Sequence, residues 1–228
     1  MKPDHRAIAR VFLDPARPFD RHHYYYALSK LATDPLYDGV CDTLRGRHLP
    51  VMDIGCGIGL LAHRMRAEGI ASLYIGTDFD ARKIKYAEAG RLRSGLADAR
   101  FEVGDAASAL PVHSGDVCIL DVLQFLPDTT SQSALLESAI ARLAPGGKLI
   151  IRTGLTDGSA RAGITVLVDR LSALWGWMRA RPTRYPQLEE LRTRFNDHGL
   201  SSTFSPLHGN TPFNNWLVVA EKPAQSQL

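Results

Sequence analysis

A chain of 228 residues, 45% hydrophobic and 22% charged, suits one large α/β domain with a filled core, or at most two small domains. Its net charge of +3 comes from dispersed arginines, densest between Arg179 and Arg194, so a dedicated nucleic-acid binder is not expected. Cys41, Cys56 and Cys118 lack the count and spacing of a disulfide framework or zinc site, and neither a signal-peptide core nor ~18 uninterrupted apolar residues occurs, so a cytoplasmic protein without a membrane span is expected.

The first twenty residues, rich in Pro, Arg and Asp, read as an irregular arm. "RHHYYYALSKLA" reads as a helix. "DPLYDGVCDTL" reads as a second, with Asp34 as its cap and Leu36, Tyr37, Val40, Cys41 and Leu44 on one side. From Pro50 strands alternate with helices. The expected strands are "VMDI", "LYIGTD", "RFEVGD", "DVCILD", "KLIIRT", "SSTFS" and "WLVVAEK". Between them fall the helices "LLAHRMRAEG", "ARKIKYAEAGRL", "SQSALLESAIARL", "ITVLVDRLSALWGWMRA" and "PQLEELRTRFNDHG". Regular βαβ alternation predicts a doubly wound, mostly parallel seven-stranded sheet. The link between the last two strands, "PLHGNTPFNN", leaves no room for a crossover helix, so these strands should pair antiparallel at one edge. The organisation expected is an N-terminal arm with helices capping a site (1–49) and a core (50–223) with a helical insertion at about 156–186.

Between the first strand and its helix, Gly55, Gly57 and Gly59 permit a tight turn and close approach of backbone to a ligand, or simply close a βα unit. Three acids sharpen the pattern. Asp53 lies inside the strand end, where a buried carboxylate needs a partner such as a ligand ammonium or a helix N-terminus. Asp78 ends the next strand at about the ~20-residue spacing of an acid that grips a ribose diol. Asp105 ends the third, placed to accept from an exocyclic adenine amine. Each acid alone also suits a helix cap.

"VMDIGCGIG", "YIGTDFD", "EVGDAASALP", "DVCILDVLQFLP" and "IARLAPGGKLII" occur in this order from Val51 to Ile151. Together they resemble the five motifs of the class I S-adenosylmethionine-dependent methyltransferases of small-molecule type, a family with a Rossmann-like fold. The resemblance runs from Val51 to Thr153 and takes in the terminal strand pair. It implies that Asp53 and the loop Gly55, Cys56, Gly57 and Gly59 hold the methionine moiety, Asp78 the ribose hydroxyls, and Phe79 the adenine face. It also implies that Asp105 bonds the adenine amine, that the Ala106 backbone bonds a ring nitrogen, and that Asp121 and Val122 floor the site near the reacting methyl. S-adenosyl-L-homocysteine would be the product. A nicotinamide cofactor fits less well, since its fingerprint is GxGxxG and this chain has GxGxG.

The reaction implied is direct in-line displacement, which needs orientation and exclusion of water, with a base for a phenol but none for a carboxylate. Asp121-Val122-Leu123-Gln124 stands where enzymes acting on adenine or glutamine amino groups carry Asn/Asp-Pro-Pro-Tyr/Phe, and "RTGLTDGS" does not supply the acids of a metal-dependent catechol site, so no metal is expected. The acceptor pocket must come from the N-terminal helix and from 156–186. The first carries His22, His23, Tyr24, Tyr25, Tyr26 and Lys30; an aromatic helix packed on the core is the plainer reading. The second carries an apolar stripe (Ile164, Leu167, Val168, Leu171, Leu174, Trp175, Met178), with Trp177 and Arg179–Arg184 off it as lid, dimer contact or anion surface. His22, His23, Tyr26 and His208 are the candidate bases. Arg152 would pair an acceptor carboxylate or satisfy Asp121. The expectation is methyl transfer to a small phenolic or carboxylic metabolite. An RNA or protein methyltransferase and a non-catalytic cofactor-binding homologue stand as alternatives, and a homodimer stays open.

Overall fold

The computed structural model describes residues 3–106, 110–156, 184–209 and 214–224. Seven strands form a mixed sheet in the order β3-β2-β1-β4-β5-β7-β6, the Rossmann-like arrangement expected. The chain divides into two compact units, Met1–Leu110 and Pro111–Leu228.

In the first unit β1 (Val51–Ile54), β2 (Tyr74–Asp78) and β3 (Ala99–Val103) run parallel, with Asp53 beside Gly76 and Gly76 beside Phe101. Every residue of β1 is buried, which is why it reads as a short apolar run rather than an alternating one. Helices α4 (Leu60–Ala67) and α5 (Ala81–Ser94) follow β1 and β2. Asp80 caps α5 by accepting from the Arg82 N–H (2.9 Å), and Gly95 ends it in the left-handed conformation.

The N-terminal helices belong to this same unit. α1 (His5–Arg10) replaces the irregular arm expected there: Asp4 accepts from the Arg6 N–H (2.8 Å), and Ile8, Ala9 and Phe12 are buried at helical spacing. A capped apolar stripe outweighs the Pro- and Arg-rich composition. α2 (His22–Thr33) and α3 (Leu36–Leu44) lie where expected. The Asp34 carboxylate accepts from the Leu36 N–H (3.1 Å), and the five apolar residues assigned to one side of α3 are all buried. Arg64 of α4 joins these elements, donating to His5 (2.9 Å), Asp38 (2.8 Å) and Glu68 (2.7 Å).

In the second unit β4 (Asp116–Leu120) and β5 (Lys148–Gly154) are parallel. β7 (Asn215–Glu221) runs antiparallel to β5, and β6 (Ser201–Pro206) antiparallel to β7, so the terminal pair forms the hairpin that the short connection required. α6 (Thr129–Ile140), capped by Asp128 on the Ser131 N–H (2.7 Å), and α7 (Leu188–Asp197) complete the unit. The helix expected at 164–180 lies outside the described residues, as does most of the 156–186 segment.

Candidate functional site

The glycine loop is held from beneath by β2. The N–H groups of Gly55 and Cys56 both donate to the Thr77 carbonyl (2.7 and 2.9 Å), and the Gly57 N–H donates to the Asp78 carboxylate (3.0 Å). All three glycines are left-handed, with φ of 81°, 59° and 77°, which explains the residue type. Their surroundings differ. A Cβ on Gly59 would lie 2.5 Å from the Phe101 ring, whereas one on Gly57 would meet nothing within 4 Å. Gly59 therefore serves packing, and Gly57 is where the backbone shows an open face.

Cys56 turns inward. A Cβ on its neighbour Gly76 would lie 2.8 Å from the Cys56 sulfur and 2.7 Å from Phe101. Burial, with the Asp53 and Asp78 charges adding, pushes its thiol well above the ordinary range. Cys56 is thus part of the floor under the loop.

Asp53 is 2% exposed. One carboxylate oxygen accepts from the Tyr74 hydroxyl at 2.5 Å, and the other, Oδ1, has no partner among the described residues. Burial raises its pKa to about 7; the Tyr74 hydrogen bond opposes the rise and the Asp78 charge adds to it. Asp78, also buried, accepts from the Gly57 and Asp80 N–H groups (3.0 and 2.9 Å), with Lys83 3.5 Å away. Phe79 is 73% exposed, with the Lys83 ammonium 5.7 Å from its ring centre.

Asp105 is exposed and Ala106 half-buried, both beyond the end of β3 at Val103. The expected strand end at Asp105 is corrected by two residues, because pairing stops once Gly104 has donated to the Asp78 carbonyl (3.1 Å). Asp121 likewise lies just outside β4. Its left-handed backbone (φ 59°) turns the chain there, a conformation Asp tolerates better than most residues. Arg152, buried on β5, forms an ion pair with Asp121, and its main-chain carbonyl accepts from the Asp121 N–H (2.8 Å). The pairing with Asp121 is one of the two roles expected for Arg152. Val122 is half-buried beside Asp121, and the Thr153 hydroxyl donates to Gln124 (3.0 Å).

The candidate bases are distributed. His23 is half-buried on α2, its ring 3.9 Å from that of Tyr86 on α5. Burial, then the neighbouring His22, lower its pKa, with Asp20 opposing. His22 is exposed and edge-on to His23 (5.2 Å), and Tyr26 is 43% exposed. His208 belongs to the second unit, edge-on to Trp216 (6.3 Å). Tyr74 and Lys83 are not singled out by the sequence. Tyr74 shares a sheet face with Asp53 through strand alternation, a signal available only once the β1–β2 register is known.

The methyltransferase-domain family profile matches residues 46–174. Over 105 residues the chain is 34% identical to a ubiquinone biosynthesis O-methyltransferase of Xanthomonas euvesicatoria, covering 45% of this chain and 42% of that protein. The chain spans about half the length of the curated relatives it matches. Among solved structures, an O-methyltransferase family protein from Burkholderia thailandensis superposes with a TM-score of 0.69 at 16% identity, covering 94% of this chain and 62% of that one. The magnesium protoporphyrin IX methyltransferase of Synechocystis, with bound SAH, gives 0.65 at 20% identity, covering 93% and 91%. At these identities the structural likeness concerns the fold.

Proposed function

The chain belongs to the methyltransferase-domain family, and on that premise we propose that it transfers a methyl group from S-adenosylmethionine to an oxygen of a small molecule. The observation that carries the reading is a buried Asp53 carboxyl with one unpartnered oxygen, next to a glycine loop whose middle glycine shows an open backbone face. A sulfonium amino acid fits that pair, since its ammonium answers the buried acid and its chain can lie close to Gly57. Asp78 would take the ribose hydroxyls on the lone pairs left by its two N–H partners. The exposed Phe79 ring would cover adenine, with Asp105 and the Ala106 backbone at its polar edge. The roles of Asp121 and Val122 rest on the family resemblance.

The cofactor supplies an activated methyl group; the chain's residues orient the reactants and exclude water. α2 would cap the site. His23, whose imidazole burial biases toward the neutral form, suits the task of accepting a phenolic proton; His22, Tyr26 and His208 are weaker choices. The relatives' naming as O-methyltransferases supports an oxygen acceptor. The Arg152–Asp121 ion pair supports a phenolic over a carboxylic acceptor, since a carboxylate would have to compete with Asp121 for the guanidinium. A cytoplasmic enzyme acting without nucleic acid is part of the same proposal.

Calorimetric titration with S-adenosylhomocysteine tests the reading. Micromolar binding by the wild type, clearly weakened by Asp78→Ala, supports it and leads to assays of phenols with labelled donor. No binding by the folded wild type refutes it.

A further inference from the structure

Tyr74 lies at the start of β2, away from the glycine loop in sequence and 1% exposed. Its ring lies 5.7 Å from that of Phe101, the side chain that also fills the space beside Gly59 and Gly76. Packing therefore fixes the ring, and the ring fixes where its hydroxyl ends. The hydroxyl donates to Asp53 Oδ2 at 2.5 Å, within the range of a bond to an ionised or shared-proton acceptor. Oδ1 is left buried and without a partner among the described residues. A neutral carboxyl can carry its own proton there, whereas an ionised one is costly to the fold until a cation pairs with it. Among the described residues of the first unit, the titratable groups that bear on Asp53 are the Tyr74 hydroxyl, Asp78, which repels a second negative charge and itself lies 3.5 Å from Lys83, and the Cys56 thiol.

We propose, resting on the cofactor reading above, that Tyr74 is a positioning residue for ligand capture: it pins one Asp53 oxygen so that the other meets the ligand's ammonium, and Asp53 gives up a proton to solvent as that cation arrives. The ammonium keeps its own protons, so each binding event releases up to one proton and leaves a buried carboxylate–ammonium pair. Tyr74 tunes the exchange because its hydroxyl stabilises the ionised carboxylate more than the neutral acid. Without it, ionisation of Asp53 moves to higher pH, and binding weakens most where Asp53 is still protonated.

The test is calorimetric titration of the wild type, Tyr74→Phe and Asp53→Asn with S-adenosylhomocysteine, in buffers of differing ionisation enthalpy, from pH 6 to 8.5. The wild type should release most of one proton at pH 6 and little at pH 8.5. Asp53→Asn should bind weakly and release none by this route. Tyr74→Phe should bind about tenfold more weakly than wild type at pH 6 and within about twofold at pH 8.5, the pattern that follows when the acidity of a group that must ionise falls about tenfold. An affinity loss equal at every pH would mark Tyr74 as merely structural and overturn the proposal. So would proton release that survives in Asp53→Asn. Failure of the wild type to bind removes the cofactor reading itself, whereas normal wild-type binding with an unaffected Tyr74→Phe removes only this inference.

Discussion

Replacing Asp53 by Asn should tilt the pH dependence of stability, because two buried groups of the first unit pull in opposite directions. Asp53 has its pKa raised to about 7, chiefly by burial. His63, 5% exposed against the edge of Phe12, has its pKa lowered to about 4 by burial and, secondarily, the charge of Arg66. In the unfolded chain these groups titrate at ~3.9 and ~6.5. From about pH 4 to 7 the native state holds a proton on Asp53 that the unfolded state has released, so stability falls as pH rises. From about pH 6.5 down to 4 the unfolded state takes up a proton on His63 that the native state refuses, so stability falls as pH falls. At about 1.4 kcal/mol for each tenfold change in acidity, the first contribution spans roughly 4 kcal/mol and the second roughly 3 kcal/mol. They nearly cancel below pH 6.5, and the wild type should be close to flat there. Asp53→Asn removes the falling arm, so its stability should rise by roughly 2–3 kcal/mol between pH 4.5 and 6.5. His63→Leu should show the mirror image. Urea denaturation followed by circular dichroism at half-unit pH steps measures both. An Asp53→Asn profile parallel to the wild type would refute the reasoning.

Three further predictions concern β2, the glycine loop and the second unit. Gly76→Ala should destabilise the fold by roughly 1–3 kcal/mol, because its methyl would meet Phe101 at 2.7 Å and Cys56 at 2.8 Å. Gly57→Ala should cost only about 1 kcal/mol for its left-handed backbone, yet weaken S-adenosylhomocysteine binding more than Gly76→Ala does; thermal melts and calorimetry on the same samples separate the effects. Arg152→Met strands the partly exposed Asp121 and should cost about 2 kcal/mol in denaturation, with part of the loss recovered in the Asp121→Asn, Arg152→Met double variant.

Much of the fold is legible in the sequence because local signals and tertiary demands coincide. β1 is buried throughout, and its apolar run announces it; the short final connection can only be a hairpin; α3 shows its buried face by spacing alone. α1 does not stand out, because its cap and stripe are barely more than a turn long, too short for periodicity to emerge from the surrounding Pro and Arg. For Asp53 the sequence offers a ligand ammonium or a helix N-terminus as partner. Tyr74 does not suggest itself, because it lies diagonally across a strand pair and no linear pattern connects residues 53 and 74. Arg152 reads with two partners in view, since charge alone does not say which carboxylate reaches it first.

The three glycines of the loop share a backbone conformation but not a reason. Gly55 turns the chain so that its own and the next N–H reach Thr77; Gly59 makes room for Phe101; Gly57 faces open space. Phe101 in turn lies beside Tyr74, whose hydroxyl is fixed on Asp53. The packing glycine and the buried acid are therefore two ends of one chain of contacts. Stability and binding are thereby linked. Above pH 7 the ionised Asp53, paired with no cation among the described residues, costs the fold up to roughly 4 kcal/mol, which a cationic ligand would offset by pairing with it. Asp53→Asn should consequently be more stable than the wild type at pH 8 in the absence of ligand, and gain less from S-adenosylhomocysteine. A variant stabilised without ligand that still gained the full ligand-induced shift in Tm would break that link, leaving Asp53 a structural acid with no part in binding.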